Sequence, residues 1–239
     1  MRRPFLTARW EDLVLINYRC PREWLLPLVP RGTELDPWKG ELLISLVGFV
    51  FRETRVMGLG IPFHRTFEEV NLRFYVRRTT GGEARRAVVF VRELVPRSAI
   101  AAIARWRYNE PYLAVPMAHR SSLALDRGGA AEYSWRYRAH AMALSASADG
   151  PALLPPAGSD AEFITEHYWG YTRQRDGSTV EYQVEHPQWP VWESSLAHFA
   201  GDGAALYGPA FGEILAGRPH SAFMAKGSEV AVHAGTKIE

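Results

Sequence analysis

Apolar and polar positions alternate through most of this chain, a period of two that predicts strands far more often than helices. The clearest run is Phe67 to Arg78, FEEVNLRFYVRR, which is followed by the turn residues Thr79-Thr80-Gly81-Gly82. A second run, Ala87 to Leu94, then returns to complete a hairpin. Further strands are expected at Leu13 to Arg19, at the apolar run Leu42 to Phe51, and at Tyr112 to Met117. Ser121 to Asp126 and Ala131 to His140 are read as two more, with Gly128-Gly129 as the turn between them. Later strands fall near Tyr168 to Gln174, Thr179 to His186 and Glu229 to His233.

Helical signals are fewer. Pro21 opens a short helix through Trp24 to Leu28, which Pro30 ends. Ser98 stands in N-cap position before Ile100, Ile103 and Trp106, a spacing that predicts a helix to Arg107. A third, short helix is expected near Asp160 to Glu166. The stretch ADGPALLPPAGSD at 148–160 is linker-like, but strand patterns resume on both sides, so it is read as a surface loop in one domain spanning 1–239. Eight or more strands with few short helices predict a mainly β (α+β) fold, an antiparallel sheet or barrel.

Composition narrows the function classes. The chain has 239 residues, 47% of them apolar and 23% charged, which excludes a disordered or fibrous protein. A net charge of +2 leaves no basic excess, and no RRM, KH or zinc-knuckle signature is present, so no nucleic-acid partner is expected. The longest strongly apolar run, 42–51, is about half of what a membrane helix needs. The first fifteen residues lack an uninterrupted apolar stretch before Glu11 and Asp12, and Cys20 is the only cysteine. These features point to a cytoplasmic, bacterial-type protein without signal peptide or disulfide. Of the 28 basic residues only Lys39, Lys226 and Lys237 are lysines, so amine-based catalysis has at most three candidates.

Candidate chemistry concentrates in three stretches. On the strand at 67–78, Glu69, Asn71, Arg73 and Tyr75 share one face, and Glu68, Val70, Leu72, Phe74 and Val76 share the other. If the polar face meets water, this is an ordinary half-buried strand. If it lines a barrel interior, it is a ligand site with acid, amide and anion-binding groups. In Tyr108-Asn109-Glu110-Pro111-Tyr112, proline forces a rigid corner that presents Tyr108 or Tyr112 to a cavity, or packs with Glu110 in solvent. The third stretch carries His167, Tyr168, Tyr171, His186, Trp189 and Trp192, a set that suits an aromatic β core. His186, before Pro187, is a general base, a pH-sensitive hydrogen-bonding residue or a strand-end histidine. The eight histidines show no metal-ligand spacing, and no Walker loop, G-x-G-x-x-G fingerprint or G-x-S-x-G elbow occurs, so neither metal nor cofactor is expected.

The order W-x-D-L, L-D-P-W-K-G, F-E-E-V-N-L-R-F-Y-V, Y-N-E-P-Y, T-E-H-Y and E-H-P-Q-W-P, from about Trp10 to Val232, resembles domain of unknown function 2071, the YqjF-like proteins. The resemblance implies an acetoacetate decarboxylase-like fold, with bent antiparallel sheets around a cone-shaped barrel and a small cavity. It also implies a Schiff-base lysine that follows proline in a Gly-aromatic-Pro-Lys-Lys turn. Placed on Asn109 to Leu113, that turn has Tyr112 and Leu113 where the lysines belong. None of the three lysines present sits in an apolar strand that would desolvate it.

The expectation is therefore a protein that binds or transforms a small organic molecule, a carboxylate, without Schiff-base chemistry. Glu69 and Tyr112 are the expected catalytic pair, in acid–base chemistry of lyase, isomerase or hydratase type. Asn71, Arg73, Tyr108, Asn109 and His186 are the expected substrate-binding residues. The alternative is a non-catalytic structural module with a filled cavity, its Trp189 to Trp192 region buried between subunits of a homo-oligomer.

Overall fold

A computed structural model describes residues 3–62, 64–98 and 109–238. The chain opens with β1 (Leu6–Arg19), the short helix α1 (Arg22–Leu25) with a 3-10 turn at Leu26–Leu28, and the two-residue β2 (Glu34–Leu35). Three long strands follow: β3 (Leu43–Val56), β4 (Phe67–Thr80) and β5 (Glu83–Val95). The expected hairpin forms, with Thr80 opposite Glu83 at its tip. The helix expected at Ser98–Arg107, beyond its first residue, and Tyr108 lie outside the described residues.

After β6 (Tyr112–Ala114) come β7 (Met117–Ser121), β8 (Gly128–Tyr137) and β9 (His140–Asp149), then α2 (Asp160–Thr165), β10 (Trp169–Arg173) and β11 (Thr179–Glu185). The chain continues through β12 (Val191–Glu193), β13 (Leu196–Ala200), α3 (Gly203–Tyr207) and α4 (Pro209–Ala216) to β14 (Ser221–Val232) and β15 (Thr236–Ile238). The molecule is mainly β, with few short helices, and no described helix is long and apolar enough to cross a membrane.

Two sheets organise these strands. In the larger, the path β14-β1-β3-β4-β5-β10-β11 returns to its start, because Val184 and Glu185 of β11 pair with Val232 and Ala231 of β14. The sheet thus closes into a ring. Most of its contacts are antiparallel, whereas β10 joins β5 in parallel through Trp169 and Gly170. The smaller sheet, β13-β9-β8-β7, packs against the outside of the ring.

Strand alternation divides the core in two. Val14, Ile16, Ile44, Leu46, Leu72 and Phe74 face outward and pack with Tyr133, Trp135 and Leu144 of the second sheet. Leu13, Leu15, Val47, Phe49, Phe51 and Phe67 face into the ring. Gly48 marks the closest approach between the layers: a methyl group there would lie 2.7 Å from the Tyr133 ring. That ring is anchored in turn by its hydroxyl, which donates to the Asp12 carbonyl at 2.7 Å.

Two sequence expectations are corrected here. Ser121 to Asp126 is not a strand: only Ser121 is paired in β7, and Leu125 to Arg127 form the turn. Gly128 and Gly129 open β8 instead of turning. A Cβ on either would sit within 2.5 Å of the Ala148 or Ser122 carbonyl oxygen, so the glycines serve close backbone approach. The alternation also missed β9, whose MALSASAD sequence has low strand propensity although Met142, Leu144 and Ala146 are buried.

Candidate functional site

The inward face of β4 carries Phe67, Glu69, Asn71, Arg73 and Tyr75. Val70, Leu72, Phe74 and Val76 take the outer core, so the polar row is interior. It lines a cavity of about 260 Å³ that side chains leave unfilled. The walls are largely apolar, with Trp10, Phe49, Phe51, Val88, Phe90 and Trp189 prominent among them. Such a shell lowers the local dielectric and magnifies the effect of each polar group.

Glu69 is held from two sides. The Tyr112 hydroxyl donates to Oε2 at 2.9 Å, and Asn71 Nδ2 donates to Oε1 at 3.0 Å. Tyr112 reaches this position through the Pro111 corner. Asn109 adopts a left-handed φ of 55°, and the Tyr112 amide closes a tight turn on the Glu110 carbonyl at 2.8 Å. The corner then docks on β5, where the Glu93 amide donates to the Pro111 carbonyl at 3.2 Å.

The same corner buries Glu110. Its carboxylate accepts from the Thr172 hydroxyl of β10 and from the Tyr182 hydroxyl of β11, the latter at 3.1 Å. Tyr182 lies flat against β10 because residue 170 is glycine; a Cβ there would stand 2.2 Å from the phenol ring. A third acid, Glu93, is only 2% exposed and lines the cavity beside them. Glu93 and Glu110 are in hydrogen-bonding contact through their side chains.

Electrostatics follow from this burial. Removing the carboxyls from water raises Glu69 and Glu110 to about 7, and the bonds from Asn71, Tyr112, Thr172 and Tyr182 only partly oppose the effect. Glu93 is pushed well up, by burial first and by the charges of Glu110 and Glu69 second. Tyr112 and Tyr182 are raised for the same reasons and stay neutral. Burial, reinforced by Arg73 and Arg86, drives His167 well down, so its imidazole is neutral too.

At the other end of the polar row, Arg73 Nη2 donates to the Ile164 carbonyl at 3.2 Å, and its guanidinium lies 5.8 Å from the Tyr75 ring centroid. Among the described residues this carbonyl is its hydrogen-bond acceptor, and its Nε is buried without a partner. His167 packs on the same Tyr75 ring at 4.6 Å, with the Phe163 backbone as a hydrogen-bonding neighbour. His186 belongs to the wall: it stacks on Trp189 at 4.1 Å, and its Nδ1 lies 2.9 Å from the Pro187 carbonyl. Burial lowers its pKa.

The structure thus brings Glu69, Asn71, Arg73, Tyr112 and His186 to one cavity. Asn109 is not among the lining residues; its Nδ2 donates to the Arg173 carbonyl at 2.8 Å and its Oδ1 accepts from Arg175 at 3.3 Å. Tyr108 lies outside the described residues. Sequence reasoning missed Glu93, Glu110, Tyr182 and His167 as site residues. For Glu110 the signal was present in the proline corner. For Glu93 a strand bulge hid it.

None of the three lysines lines the cavity. Lys39 pairs with Asp160 at 2.8 Å, Lys226 with Asp12 at 2.6 Å and Lys237 with Asp176 at 2.7 Å. Trp189 and Trp192 are buried within the chain itself, donating to Ser228 Oγ and the Gly150 carbonyl. Among the described residues no group of three His, Cys, Asp or Glu side chains has metal-holding geometry.

A family model, DUF2071, described as "Uncharacterized conserved protein (COG2071)", matches residues 7–229. The uncharacterized protein YqjF of Bacillus subtilis (strain 168) is 37% identical over 68 residues, a match that spans 28% of this chain and 28% of that protein. Among solved structures, an acetoacetate decarboxylase from Legionella pneumophila superposes with a TM-score of 0.69 at 13% identity, over 99% of this chain and 87% of the other. The enduracididine biosynthesis enzyme MppR, complexed with pyruvate, gives 0.70 at 16% identity over 100% and 92%. An acetoacetate decarboxylase-like enzyme from Sphingomonas wittichii RW1 gives 0.65 at 14% over 100% and 94%. At these identities the likeness is one of fold.

Proposed function

The chain belongs to the DUF2071 family, and from its cavity we propose that it binds a small organic acid and transforms it by carboxyl-based acid–base chemistry. The observation that carries this reading is the unpaired Arg73 at one end of a row whose other end is Glu69, clasped by Tyr112 and Asn71. The guanidinium is half-buried, its Nε is buried without a partner, and it forms no ion pair among the described residues, so a ligand carboxylate would satisfy its planar fork.

Glu69 is the proton carrier. A carboxyl with a pKa about 7 is divided between its two protonation states near neutral pH, so it takes up and returns protons with little bias. The Tyr112 hydroxyl and the Asn71 amide fix which oxygen faces the ligand. The reaction class is proton transfer at the carbon next to a carbonyl, as in an isomerase, hydratase or lyase. The pyruvate bound by the MppR structure supports the size and class of ligand, since that protein shares this fold.

Schiff-base formation is not part of the proposal, because every lysine is committed to an ion pair away from the cavity. The test is deuterium incorporation. Pyruvate, acetoacetate and longer oxo acids are incubated with the protein in heavy water, and proton NMR follows exchange at the carbon beside the carbonyl. Exchange above background that Glu69→Gln abolishes is the expected result. Identical exchange by native protein and Glu69→Gln removes Glu69 from its role.

A further inference from the structure

Among the described residues lining the cavity, buried polar atoms without a partner include Trp10 Nε1 and Thr54 Oγ1 on the walls and a set at each end of the polar row. Beside Glu69, the unpaired buried atoms are Asn71 Oδ1 and Glu93 Oε2, on residues each 2% exposed. Asn71 Oδ1 is an acceptor, because its amide nitrogen is already engaged with Glu69 Oε1, and Glu93, beside Glu110, is an acceptor in its ionised form. Beside Tyr75, Arg73 Nε is an unpaired donor, and the neutral His167 imidazole, 7% exposed and next to the Phe163 backbone, offers one donor and one acceptor nitrogen. Buried polar groups without protein partners are uncommon in folded proteins, and those lining a cavity are satisfied by what enters it, water or ligand.

The two sets stand apart. Glu69 and Arg73 are four residues apart on one strand face, about 13 Å along β4. Arg73 turns its head toward Tyr75 and Ile164, and Glu69 turns to Tyr112 and Asn71, so the strand's own charges do not neutralise each other. Among the described residues, the ionisable groups that meet Glu69 from neighbouring elements are acidic or phenolic: Glu93 from β5, Glu110 and Tyr112 from the proline corner, and Tyr182 from β11. Arg73 is the cation whose charge acts on Glu69, more weakly than burial and the bonds from Asn71 and Tyr112 do. The cavity is therefore a dipole with an acceptor-rich acidic pole and a donor-bearing basic pole, joined by apolar wall.

We infer that the ligand is zwitterionic, with a carboxylate at Arg73 and His167 and a cationic nitrogen, ammonium or amidinium, at Glu69, Asn71 and Glu93. This rests on the reading that Arg73 binds a carboxylate, and it adds the chemistry of the ligand's far end. A hydroxyl at that end supplies one donor and no charge. An ammonium supplies three donors and an amidinium a planar set, enough for both unpaired acceptors and for the carboxyl cluster. Because burial raises Glu69 and Glu110 to about 7, the cluster holds protons near neutrality that a bound cation displaces.

The experiment is isothermal titration calorimetry of the native protein near neutral pH. The probes are γ-aminobutyrate, δ-aminovalerate and ε-aminocaproate, each beside its ω-hydroxy analogue, in two buffers of different ionisation enthalpy. At least one amino acid is expected to bind about tenfold tighter than its hydroxy analogue, and only the amino series to release protons. Glu93→Gln is expected to reduce the preference to within about threefold. The proton release is read on native protein and does not depend on that variant. Equal affinity of the two series, or a preference untouched by Glu93→Gln, overturns the inference while leaving the carboxylate reading in place. Absence of binding by both series contradicts both.

Discussion

Asn71 and Glu93 stand opposite one another in the β4–β5 ladder, and both side chains reach the cavity because the ladder is bulged just beyond them. Val88 and Phe90 face inward, and strict alternation would then send Glu93 outward with Val89 and Val91. Between the pairs Leu72–Arg92 and Arg73–Phe90 the register shifts by one residue on β5. The extra residue, Val91, reverses the parity, and Glu93 joins the site. One added residue thus converts an outer-face acid into the third carboxyl of the cavity.

Glu69 makes stability depend on pH in a defined direction. Its folded pKa of about 7 lies above the ordinary value of 4.5, so the folded state holds more protons than the unfolded one between these limits. Stability contributed by the protonated acid is complete below about pH 4.5 and declines as pH rises through about 7. Glu69→Gln removes this decline. Thermal unfolding at about pH 5 and about pH 8 is expected to show the variant gaining on native protein by about 2 kcal/mol across that interval. A constant difference between the two proteins contradicts the burial argument.

Gly170 is expected to be intolerant of even a methyl group. Alanine at this position places its Cβ within 2.5 Å of three atoms of Tyr182, whose hydroxyl bonds Glu110. Gly170→Ala is expected to cost about 1–3 kcal/mol in chemical denaturation. Gly170→Ala combined with Tyr182→Ala is expected to recover most of the part due to the clash. Strict additivity of the two losses argues that the contact is unimportant.

Changing all three lysines to arginine preserves the ion pairs of Lys39, Lys226 and Lys237 with Asp160, Asp12 and Asp176. Ligand binding in this triple variant is expected to match native protein within about twofold, since no lysine lines the cavity. Borohydride treatment of native protein with pyruvate, followed by peptide mass mapping, is expected to leave every lysine unmodified. A reduced adduct on any of them restores the Schiff-base alternative.

The long strands were legible because their side chains obey period two: the outer face of β4 is Val70, Leu72, Phe74 and Val76, and its inner face is the polar row. The same arithmetic failed at Glu93, where a bulge breaks the period, and at β9, where alanine and serine carry too little hydrophobic contrast. Glu110 was visible as a proline-corner residue, but its burial depends on Thr172 and Tyr182, more than sixty residues away in sequence. His167 was noticed only as an aromatic neighbour. It reaches the cavity because the chain after α2 sets it against Tyr75 and Phe163, a tertiary contact no local pattern encodes.

Arg73 carries the central claim, and its removal tests that claim most directly. Calorimetric titration of native protein and Arg73→Gln with the tightest-binding carboxylate probe compares a forked cation with a neutral amide of shorter reach. Saturable binding to native protein and at least about a tenfold weaker affinity in Arg73→Gln is the predicted result, with both proteins folded by circular dichroism. Equal affinity in the two proteins contradicts the account.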